Sequence, residues 1–464
     1  MLSWEEVAEA THGTPRGDAP TGPVRSVAID SRLVEAGGLF VCLRGVQHDG
    51  HAFARAALAG GAVAVVAAAG TPLDVPEATP VMRVADPVAA LGALAAAWRS
   101  KLDASFVGIT GSSGKTSTKE MIAAYLARFG PVGKTEANHN NELGVPLTLL
   151  SFKPGLRFGV VEMGMRAEGE IAALARIVAP SIGVVTNVGT AHIGRLGSQE
   201  AIGRAKAELW HHMAQGGTAV VPWDDPLATA EAARWGGRIV TWSLGDPGAT
   251  LWCHDVQAVG EGQVFTAYWK RRGAQPHGRA EVRLPAWGDH HRANAMAALA
   301  VGWALDLVPE GRIELRPDTL PGRARLLELG GVLITDDAYN ANPESLKAAL
   351  KAFSEAPAKG RRLAVLGAMA ELGRHAEAAH AAVGAYAAAI GIDELVAVGT
   401  DASGYAEGWG RQQLCRVLTT PDEAVTYLLG QLHPGDRLLL KASRSAKLER
   451  VLEGLARAWG DTRS

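Results

Sequence analysis

The clearest chemical signal lies at positions 106–117, where the sequence reads FVGITGSSGKTS. A β-rich run leads into a glycine-rich turn and then into a helical pattern. Gly111 and Gly114 let successive backbone N–H groups point at a phosphate, and the N-terminus of the following helix adds partial positive charge. We expect Lys115 to reach the β- and γ-phosphates and Thr116 to ligate Mg²⁺. The segment therefore predicts a nucleoside triphosphate site made by Thr110, Gly111, Ser112, Ser113, Gly114, Lys115, Thr116 and Ser117.

The loop departs at one position from the strict phosphate-loop pattern GxxxxGK[ST], because Ile109 stands where the pattern has glycine. The match is to the shorter form TGxxGKT. The alternative, a glycine-rich turn beside an exposed lysine, is disfavoured by the strand before the loop and the helix after it. A phosphate loop indicates a nucleotide but not its use, since kinases, GTPases, motors and ligases all contain one.

Three more side chains have types that suit phosphate and metal chemistry. Glu162 ends an apolar strand pattern, and open α/β sheets place their ligands at the carboxyl ends of strands, where a carboxylate suits Mg²⁺. His192 lies in a glycine-containing loop, and Lys206 lies within a helical pattern. Each has an ordinary alternative that the residues alone leave open: a capping or ion-paired glutamate, a solvent-exposed histidine and a surface lysine.

The elements that must position these residues follow a regular order. Short apolar runs alternate with helical patterns along nearly the whole chain, which predicts βαβ units and an α/β fold with mostly parallel sheets. Strands are predicted at 38–43, 63–67, 105–109, 158–162, 182–186, 218–221, 333–336, 363–366, 394–398 and 437–441. Helices are predicted at 87–101, 115–129, 168–178, 198–214, 291–305, 343–353 and 421–432.

Two places predict domain boundaries. A helix pattern gives way to a strand near 100–105, and prolines and a glycine interrupt the chain near 318–325. Between 242 and 287 the segments VFTAYW and AEVRLPAW alternate as antiparallel strands do. At roughly 150 residues per domain, 464 residues correspond to about three domains. We therefore predict domains at 1–102, 103–318 and 319–464.

Composition excludes several classes of protein. The 47% hydrophobic and 20% charged residues are ordinary for a globular chain, and a net charge of −2 gives no sign of a nucleic-acid or anionic-membrane partner. Cys42, Cys253 and Cys415 lie far apart, which disfavours a disulfide framework or a cysteine zinc site and fits a reducing cytosol. The acidic N-terminus does not read as a signal peptide, and no apolar run is long enough to predict a membrane span.

Four further segments follow the phosphate loop in a fixed order: KTEANHNNELGVPLTLL at 134–150, VVEMG at 160–164, TNVGTAHIG at 186–194 and IGRAKAE at 202–208. Together with TGxxGKT they resemble the Mur ligase family, ATP-dependent amide-bond-forming enzymes of cell-wall precursor synthesis. DDAYNANP at 336–343 and VLGAMAELG at 365–373 resemble the member that adds D-alanyl-D-alanine. The resemblance runs from about residue 24 to residue 452.

The resemblance implies roles for the residues already singled out. Lys115, Glu162, His192 and Lys206 would be catalytic. Mg²⁺ would be held by Thr116, Glu162, His192 and Lys206, with the lysine carbamylated by CO₂. Carbamylation requires a neutral amine, hence a lysine pKa lowered by burial or by nearby cations.

Further residues match nucleotide and substrate positions of the family. The implied nucleotide contacts in the C-terminal part are Asn294, which we place at a helix start, Arg323 and Asp337. The implied substrate contacts are Ser31, Arg32, Asn138, Asn140, Asn141, Tyr339, Asn340 and Asn342. Ala368 and Ala442 replace an aspartate and a glycine that are usual in the family's C-terminal motifs.

The resemblance also implies an architecture and a reaction. It predicts an N-terminal UDP-sugar-binding domain, a central phosphate-loop domain with a mostly parallel sheet, and a Rossmann-like C-terminal domain closing over ATP and the dipeptide. The expected substrates are ATP, UDP-N-acetylmuramoyl-tripeptide and D-alanyl-D-alanine, used by a cytoplasmic monomer without nucleic-acid or membrane partners. Alternatives are a sister ligase adding one amino acid, a folylpolyglutamate-type ligase and a regulatory nucleotide-binding protein.

Overall fold

The computed structural model describes residues 1–270, 278–308, 311–410 and 414–460. The predicted domain ranges 103–318 and 319–464 therefore include a few positions that lie outside the described residues. No predicted site residue falls among those positions. Within the described ranges, no helix is long and apolar enough to cross a membrane.

The helices of the described residues follow the predicted alternation with strands. They are α1 (Trp4–Thr11), α2 (Ala54–Ala59), α3 (Pro87–Ser100), α4 (Lys115–Leu126), α5 (Gly144–Ser151), α6 (Glu170–Val178), α7 (Ile193–Leu196), α8 (Gln199–His211), α9 (Pro226–Trp235), α10 (Asp289–Ala304), α11 (Pro343–Glu355), α12 (Ala376–Ala389), α13 (Gly404–Trp409), α14 (Pro421–Gln431) and α15 (Glu449–Ala458).

The strands between them are mostly short and buried. They are β1 (Thr14–Arg16), β2 (Val27–Ala28), β3 (Gly38–Val41), β4 (Ala62–Ala68), β5 (Val81–Val84), β6 (Ser105–Thr110), β7 (Val132–Lys134), β8 (Phe158–Glu162), β9 (Ile182–Val185), β10 (Thr218–Pro222), β11 (Arg238–Trp242), β12 (Leu251–Val259), β13 (Gly262–Trp269), β14 (Gly278–Leu284), β15 (Gly311–Glu314), β16 (Arg325–Leu329), β17 (Val332–Asp337), β18 (Arg362–Gly367), β19 (Glu394–Val398), β20 (Cys415–Leu418) and β21 (Arg437–Lys441).

Three sheets organise these strands. A five-stranded sheet has the order β1-β5-β4-β3-β2, and a six-stranded sheet has the order β16-β17-β21-β18-β19-β20. Both are parallel except for β1 and β16, which pair antiparallel with their neighbours. A ten-stranded sheet has the order β15-β14-β13-β12-β11-β10-β9-β6-β8-β7. Its β12–β13–β14 meander is antiparallel, as predicted for the segment between 242 and 287.

Packing divides the chain into two compact units. The first unit comprises Met1–Thr110, Leu126–Gly183 and Glu208–Thr218, and it contains the five-stranded sheet together with β6, β7 and β8. One of its core clusters packs α2 against β3 and β4 through residues such as Phe40 and Val65. This unit carries Glu162 at the end of β8.

The second unit comprises Gly111–Tyr125, Val184–Ala207 and Ala219–Ser464. Apolar clusters cover the six-stranded sheet on both faces, which explains why its central strands are continuous apolar runs. The unit carries the phosphate loop, His192 and Lys206. The helix α10 within it is buried on almost every side.

Local sequence accounts for where several helices begin. Asp86, Asp225 and Asn342 each accept a backbone N–H as the N-cap of α3, α9 and α11. A proline follows each of these caps at the first helical position, where its missing N–H costs nothing. The starts of these helices are therefore determined within a few residues of sequence.

Most predicted elements agree with the structure to within two or three residues, and β8, β19 and β21 have the predicted bounds. One prediction was wrong. Helix α10 begins at Asp289, after Gly288 at φ +117°, so Asn294 lies inside the helix and not at its start. The predicted domain limits at 102/103 and 318/319 fall in the connections α3–β6 and β15–β16. As domain limits they stay predictions.

Candidate active site

The phosphate loop turns sharply at Gly111, which has φ +151°. A Cβ added at Gly111 would lie 1.8 Å from the Thr186 hydroxyl, so only glycine fits at this position. Lys115 opens α4, and its Nζ donates to the Gly111 carbonyl at 2.9 Å. Thr116 follows it in the first turn and is buried. The local sequence therefore produces the strand–turn–helix that a phosphate-binding loop requires.

A second loop, residues 186–194, supports the phosphate loop from the side. The Thr186 hydroxyl donates to the Ser113 carbonyl at 2.6 Å, and the Ser113 N–H donates to Asn187 Oδ1 at 3.0 Å. The Gly189 N–H donates to the Ser112 hydroxyl at 2.9 Å. These bonds explain why the TNVG sequence accompanies the glycine-rich loop, because its polar side chains fix the loop backbone.

His192 ends this supporting loop in a left-handed conformation with φ +67°. Its Nδ1 lies 2.7 Å from Glu371 Oε2, and its side chain is 22% exposed. Burial lowers the pKa of the His192 imidazole, while Glu371 opposes that shift and the charges of Lys115 and Lys206 add to it. The structure thus brings His192, Lys115 and Lys206 close together within the second unit.

Lys206 is buried in α8, with only 1% of its surface exposed. Burial, together with the positive charge of Lys115, holds the pKa of Lys206 well below its usual value. The alternative of a surface lysine is therefore wrong. A buried amine of lowered pKa is the state from which carbamylation proceeds.

Glu162 lies in the first unit at the end of β8 and is buried. Its Oε1 accepts a hydrogen bond from Asn140 Nδ2 at 2.8 Å, and its backbone N–H donates to the Thr135 hydroxyl at 2.9 Å. The Asn140 carbonyl in turn accepts from the Gly164 N–H at 2.7 Å. Asn140 was predicted to contact substrate, and the structure shows that it orients the Glu162 carboxylate.

A cavity of about 340 Å³ lies within the second unit. Polar side chains from distant parts of the sequence line it, and apolar side chains such as Trp287 and Phe353 form other parts of its wall. Among the polar residues are five of the predicted nucleotide contacts: Thr116, Ser117, Asn294, Arg323 and Asp337. An apolar wall with a few convergent polar groups is typical of a nucleoside pocket.

Three of these residues are held by long-range contacts. Asn294 Oδ1 accepts from the Thr118 hydroxyl at 2.9 Å, which ties α10 to α4. Asp337 Oδ2 accepts from Lys441 Nζ at 2.6 Å. The Arg323 guanidinium lies 3.9 Å from the ring centroid of Tyr339. Each contact fixes a side chain at the cavity wall.

Two residues of this cavity were not predicted from the sequence. His290 and His291 line it beside Asn294, with their ring centroids 4.1 Å apart. Burial lowers the pKa of His290 to about 4 and holds that of His291 well below its usual value. Both rings are therefore neutral at pH 7. Their position one turn before Asn294 on the same helix could have indicated that they line the cavity.

The predicted substrate contacts of the first unit lie on exposed turns. Arg32 forms an ion pair with Asp30 at 2.6 Å, next to Ser31 in a short 3₁₀ turn. Asn138 is exposed, and Asn141 accepts from the Gly144 N–H at 2.9 Å where α5 begins. These contacts explain the local folds and leave the predicted binding roles as predictions.

The remaining predicted contacts lie between β17 and α11 in the second unit. Asn342 caps α11 by accepting from the Ser345 N–H at 2.8 Å, and its Nδ2 lies 3.5 Å from the Ser112 carbonyl. Asn340 is exposed, while Tyr339 is half-buried beneath Arg323. Asn342 therefore has a structural role as the N-cap of α11, and its predicted contact with substrate stays a prediction.

Two predicted metal ligands, each considered within its own unit, have the chemistry that Mg²⁺ prefers. In the part of the chain that the structure describes, no group of three or more His, Cys, Asp or Glu side chains could hold a metal alone. The buried Thr116 hydroxyl and Glu162 carboxylate are hard oxygen donors. Mg²⁺ commonly takes one or two protein oxygens and completes its shell with phosphate and water.

Comparison with known proteins decides the family. Family models match in order along the chain: "Mur ligase family, catalytic domain" at residues 23–99, "Mur ligase middle domain" at 109–302 and "Mur ligase, glutamate ligase domain" at 322–444. A UDP-N-acetylmuramoyl-tripeptide–D-alanyl-D-alanine ligase from Synechocystis sp. is 39% identical over 93% of this chain and 92% of its own length. The chain belongs to the Mur ligase family.

Solved structures of Mur ligases share the fold. A crystal structure of MurF from Acinetobacter baumannii has a TM-score of 0.87 at 30% identity and covers 98% of this chain and 99% of its own. MurF from Thermotoga maritima in complex with ADP has a TM-score of 0.82 at 28% identity, over 94% of this chain and 98% of its own. The predicted three-domain α/β fold with mostly parallel sheets is confirmed.

Proposed function

We infer that this Mur ligase joins D-alanyl-D-alanine to UDP-N-acetylmuramoyl-tripeptide with consumption of ATP. The observation that carries this inference is the cavity where the phosphate-loop residues Thr116 and Ser117 meet Asn294, Arg323 and Asp337. Those residues come from distant parts of the sequence. Because the chain resembles ligases of this name over nearly its whole length, we propose that this cavity binds ATP.

We propose that the nucleoside lies in this cavity with its phosphates on the loop. The apolar wall accepts the base, the Asp337 carboxylate accepts hydrogen bonds from ribose hydroxyls, and Arg323 contacts phosphate. The loop from Gly111 to Gly114 curves around the terminal phosphates, and the N-terminus of α4 and Lys115 add positive charge.

The reaction needs ATP because a carboxylate is a poor electrophile. The terminal carboxylate of the tripeptide attacks the γ-phosphorus, ADP leaves, and an acyl phosphate forms. The dipeptide amine then attacks the acyl carbon, and phosphate leaves with the electrons of the C–O bond. Such transfers depend mainly on positioning and on neutralising phosphate charge, the roles of Lys115 and Arg323. Mg²⁺ held by Thr116, Glu162 and His192 would neutralise further charge.

We propose that Lys206 is carbamylated. Its neutral amine attacks CO₂, a C–N bond forms and one proton is released, which replaces a buried neutral amine by an anion able to bind Mg²⁺. Lys206→Ala is expected to lose most ligase activity and to regain part of it with short carboxylic acids. Lys153→Ala, at an exposed position, is the matched control. An alanine variant with full activity and no rescue would refute the proposal.

The remaining assignments extend the same proposal. Eight residues are proposed to contact the substrates: Ser31, Arg32, Asn138, Asn140, Asn141, Tyr339, Asn340 and Asn342. We further propose that the enzyme works as a monomer in the cytoplasm, where ATP is available.

The test is phosphate release from ATP in the presence of UDP-N-acetylmuramoyl-tripeptide. Release that requires D-alanyl-D-alanine, with a UDP-muramoyl-pentapeptide product by mass, supports the proposal. Release driven by a single D- or L-amino acid instead would assign the chain to a sister ligase. Phosphate release at the same rate with and without every amine tested would refute the ligase assignment but would still support a nucleotide site.

A further inference from the structure

We propose that Glu371 is a positioning residue that orients His192 for its role at the metal and phosphate site. This inference rests on the proposed function, since His192 matters only if it serves that site. No motif of the sequence assigned a role to Glu371. His192 and Glu371 are far apart in the sequence, and their side chains are in contact in the structure.

The first observation is the contact itself. Glu371 Oε2 lies 2.7 Å from His192 Nδ1. Nδ1 makes no aligned hydrogen bond, so the carboxylate lies to the side of the N–H direction and the contact is mainly electrostatic. A carboxylate beside Nδ1 favours the tautomer with a proton on that nitrogen. The lone pair of Nε2 then remains for a ligand, as in carboxylate–histidine–metal arrangements.

The second observation is the backbone at both ends of the contact. His192 has φ +67° and Glu371 has φ +63°. The left-handed region costs a non-glycine residue about 1–3 kcal/mol, and such strain persists where the surrounding structure enforces it. Glutamate is not among the residues enriched in this region. Glu371 is therefore held in an unfavourable backbone conformation next to His192, a residue type that this region tolerates better.

The third observation is the rigid support of Glu371. The Met369 N–H donates to His380 Nε2 at 2.9 Å, and the Ala370 N–H donates to the Ser443 hydroxyl at 2.8 Å. The Ser443 N–H donates to the Ala368 carbonyl at 3.1 Å. The segment before Glu371 is thus bonded at three successive residues, which fixes the backbone from which the Glu371 side chain extends.

A second carboxylate, that of Glu344, contacts the same supporting loop, residues 186–194. Glu344 Oε1 accepts from the Thr190 N–H at 3.0 Å and from the Thr190 hydroxyl at 2.8 Å. Glu344 lies in the first turn of α11, and Thr190 is two residues before His192. The loop that supports the phosphate loop is therefore anchored by Glu344 as well as by Glu371.

The decisive experiment measures metal binding separately from catalysis. Mn²⁺, a paramagnetic substitute for Mg²⁺, is titrated into the full-length protein with ADP and followed by electron paramagnetic resonance. Removing a residue that orients a metal-ligating histidine typically costs 10–100-fold in affinity, so we expect Glu371→Ala to weaken Mn²⁺ binding by that factor. Glu371→Gln keeps an acceptor beside Nδ1 and is expected to lose less. Glu377→Ala, at a nearby exposed glutamate, is the matched control.

A double-mutant cycle tests whether Glu371 acts through His192. In the His192→Ala background, adding Glu371→Ala should produce no further loss of Mn²⁺ affinity. A further loss of tenfold there would overturn the proposal, and so would unchanged affinity in Glu371→Ala. The thermal unfolding midpoint of each variant without metal shows whether the variant folds normally. If Glu371→Ala has a folding defect, the Mn²⁺ affinity of Glu371→Gln decides whether Glu371 contributes to metal binding. Phosphate release dependent on D-alanyl-D-alanine tests the proposed function separately, because it is measured on the wild type.

Discussion

Removing either partner of the Asp337–Lys441 ion pair is expected to destabilise the six-stranded sheet, and by unequal amounts. Lys441 Nζ donates to Asp337 Oδ2 at 2.6 Å and to the Asn340 carbonyl at 3.1 Å. The Lys441 side chain is 4% exposed and that of Asp337 is 17% exposed. The two residues end the neighbouring parallel strands β17 and β21.

The difference in exposure determines the expected magnitudes. Asp337→Asn leaves a buried ammonium beside a neutral amide, and breaking a buried pair in this way costs about 3–5 kcal/mol. Lys441→Met leaves a carboxylate that reaches water, so the cost is expected to be about 1–3 kcal/mol. The double variant removes both charges and should cost less than the sum of the two single changes. The expected coupling energy is about 1–3 kcal/mol.

Hydrogen exchange followed by mass spectrometry is the appropriate assay, because a chain with more than one packed unit has no single unfolding free energy. Peptides that cover β17 and β21 report the local opening free energy in the wild type, both single variants and the double variant. Peptides from the five-stranded sheet serve as the internal control. Additive effects, or a larger cost for Lys441→Met than for Asp337→Asn, would refute the reasoning from burial.

Two other changes have defined outcomes. Gly111→Ala is expected to abolish ATP binding in a calorimetric titration, because its Cβ would collide with Thr186. Gly197→Ala, also at positive φ but with open space around it, should bind normally. The pKa of His290, lowered by burial to about 4 from 6.5, keeps the folded ring neutral while the unfolded chain takes up a proton. Stability should therefore fall as pH decreases from about 6.5 to about 4. His290→Gln should reduce that pH dependence of the local opening free energy, measured by hydrogen exchange of peptides that cover α10 at pH 7 and 5, and an unchanged dependence would contradict the prediction.

The elements of the fold were predictable from the sequence because their signals are local. Strands β8, β19 and β21 are continuous apolar runs, as expected for strands covered on both faces, and their bounds were predicted without error. The start of α10 was predicted two residues too late, because Gly288 ends the preceding segment earlier than the apolar pattern indicates. Element boundaries depend on such single-residue backbone conformations.

The site was predictable where one short motif contains the whole arrangement, as in the phosphate loop. Contacts between distant segments were not predictable, because residue spacing carries no information about them. The contacts of Thr118 with Asn294 and of Glu371 with His192 are of this kind. The contact of Asn342 Nδ2 with the Ser112 carbonyl is another example, whereas the capping of α11 by Asn342 is a local contact.

The outermost strands have a consequence for aggregation. Edge strands expose unpaired N–H and C=O groups that recruit strands from other molecules. Here β7 spans only Val132–Lys134, β1 contains Pro15, and β15 carries Arg312, which is ion-paired with Glu281 at 2.5 Å. Short length, proline and charge all discourage such recruitment. Variants that lengthen β7 or replace Pro15 by a β-branched residue would therefore offer a template for intermolecular pairing, and such chains are expected to scatter light on concentration.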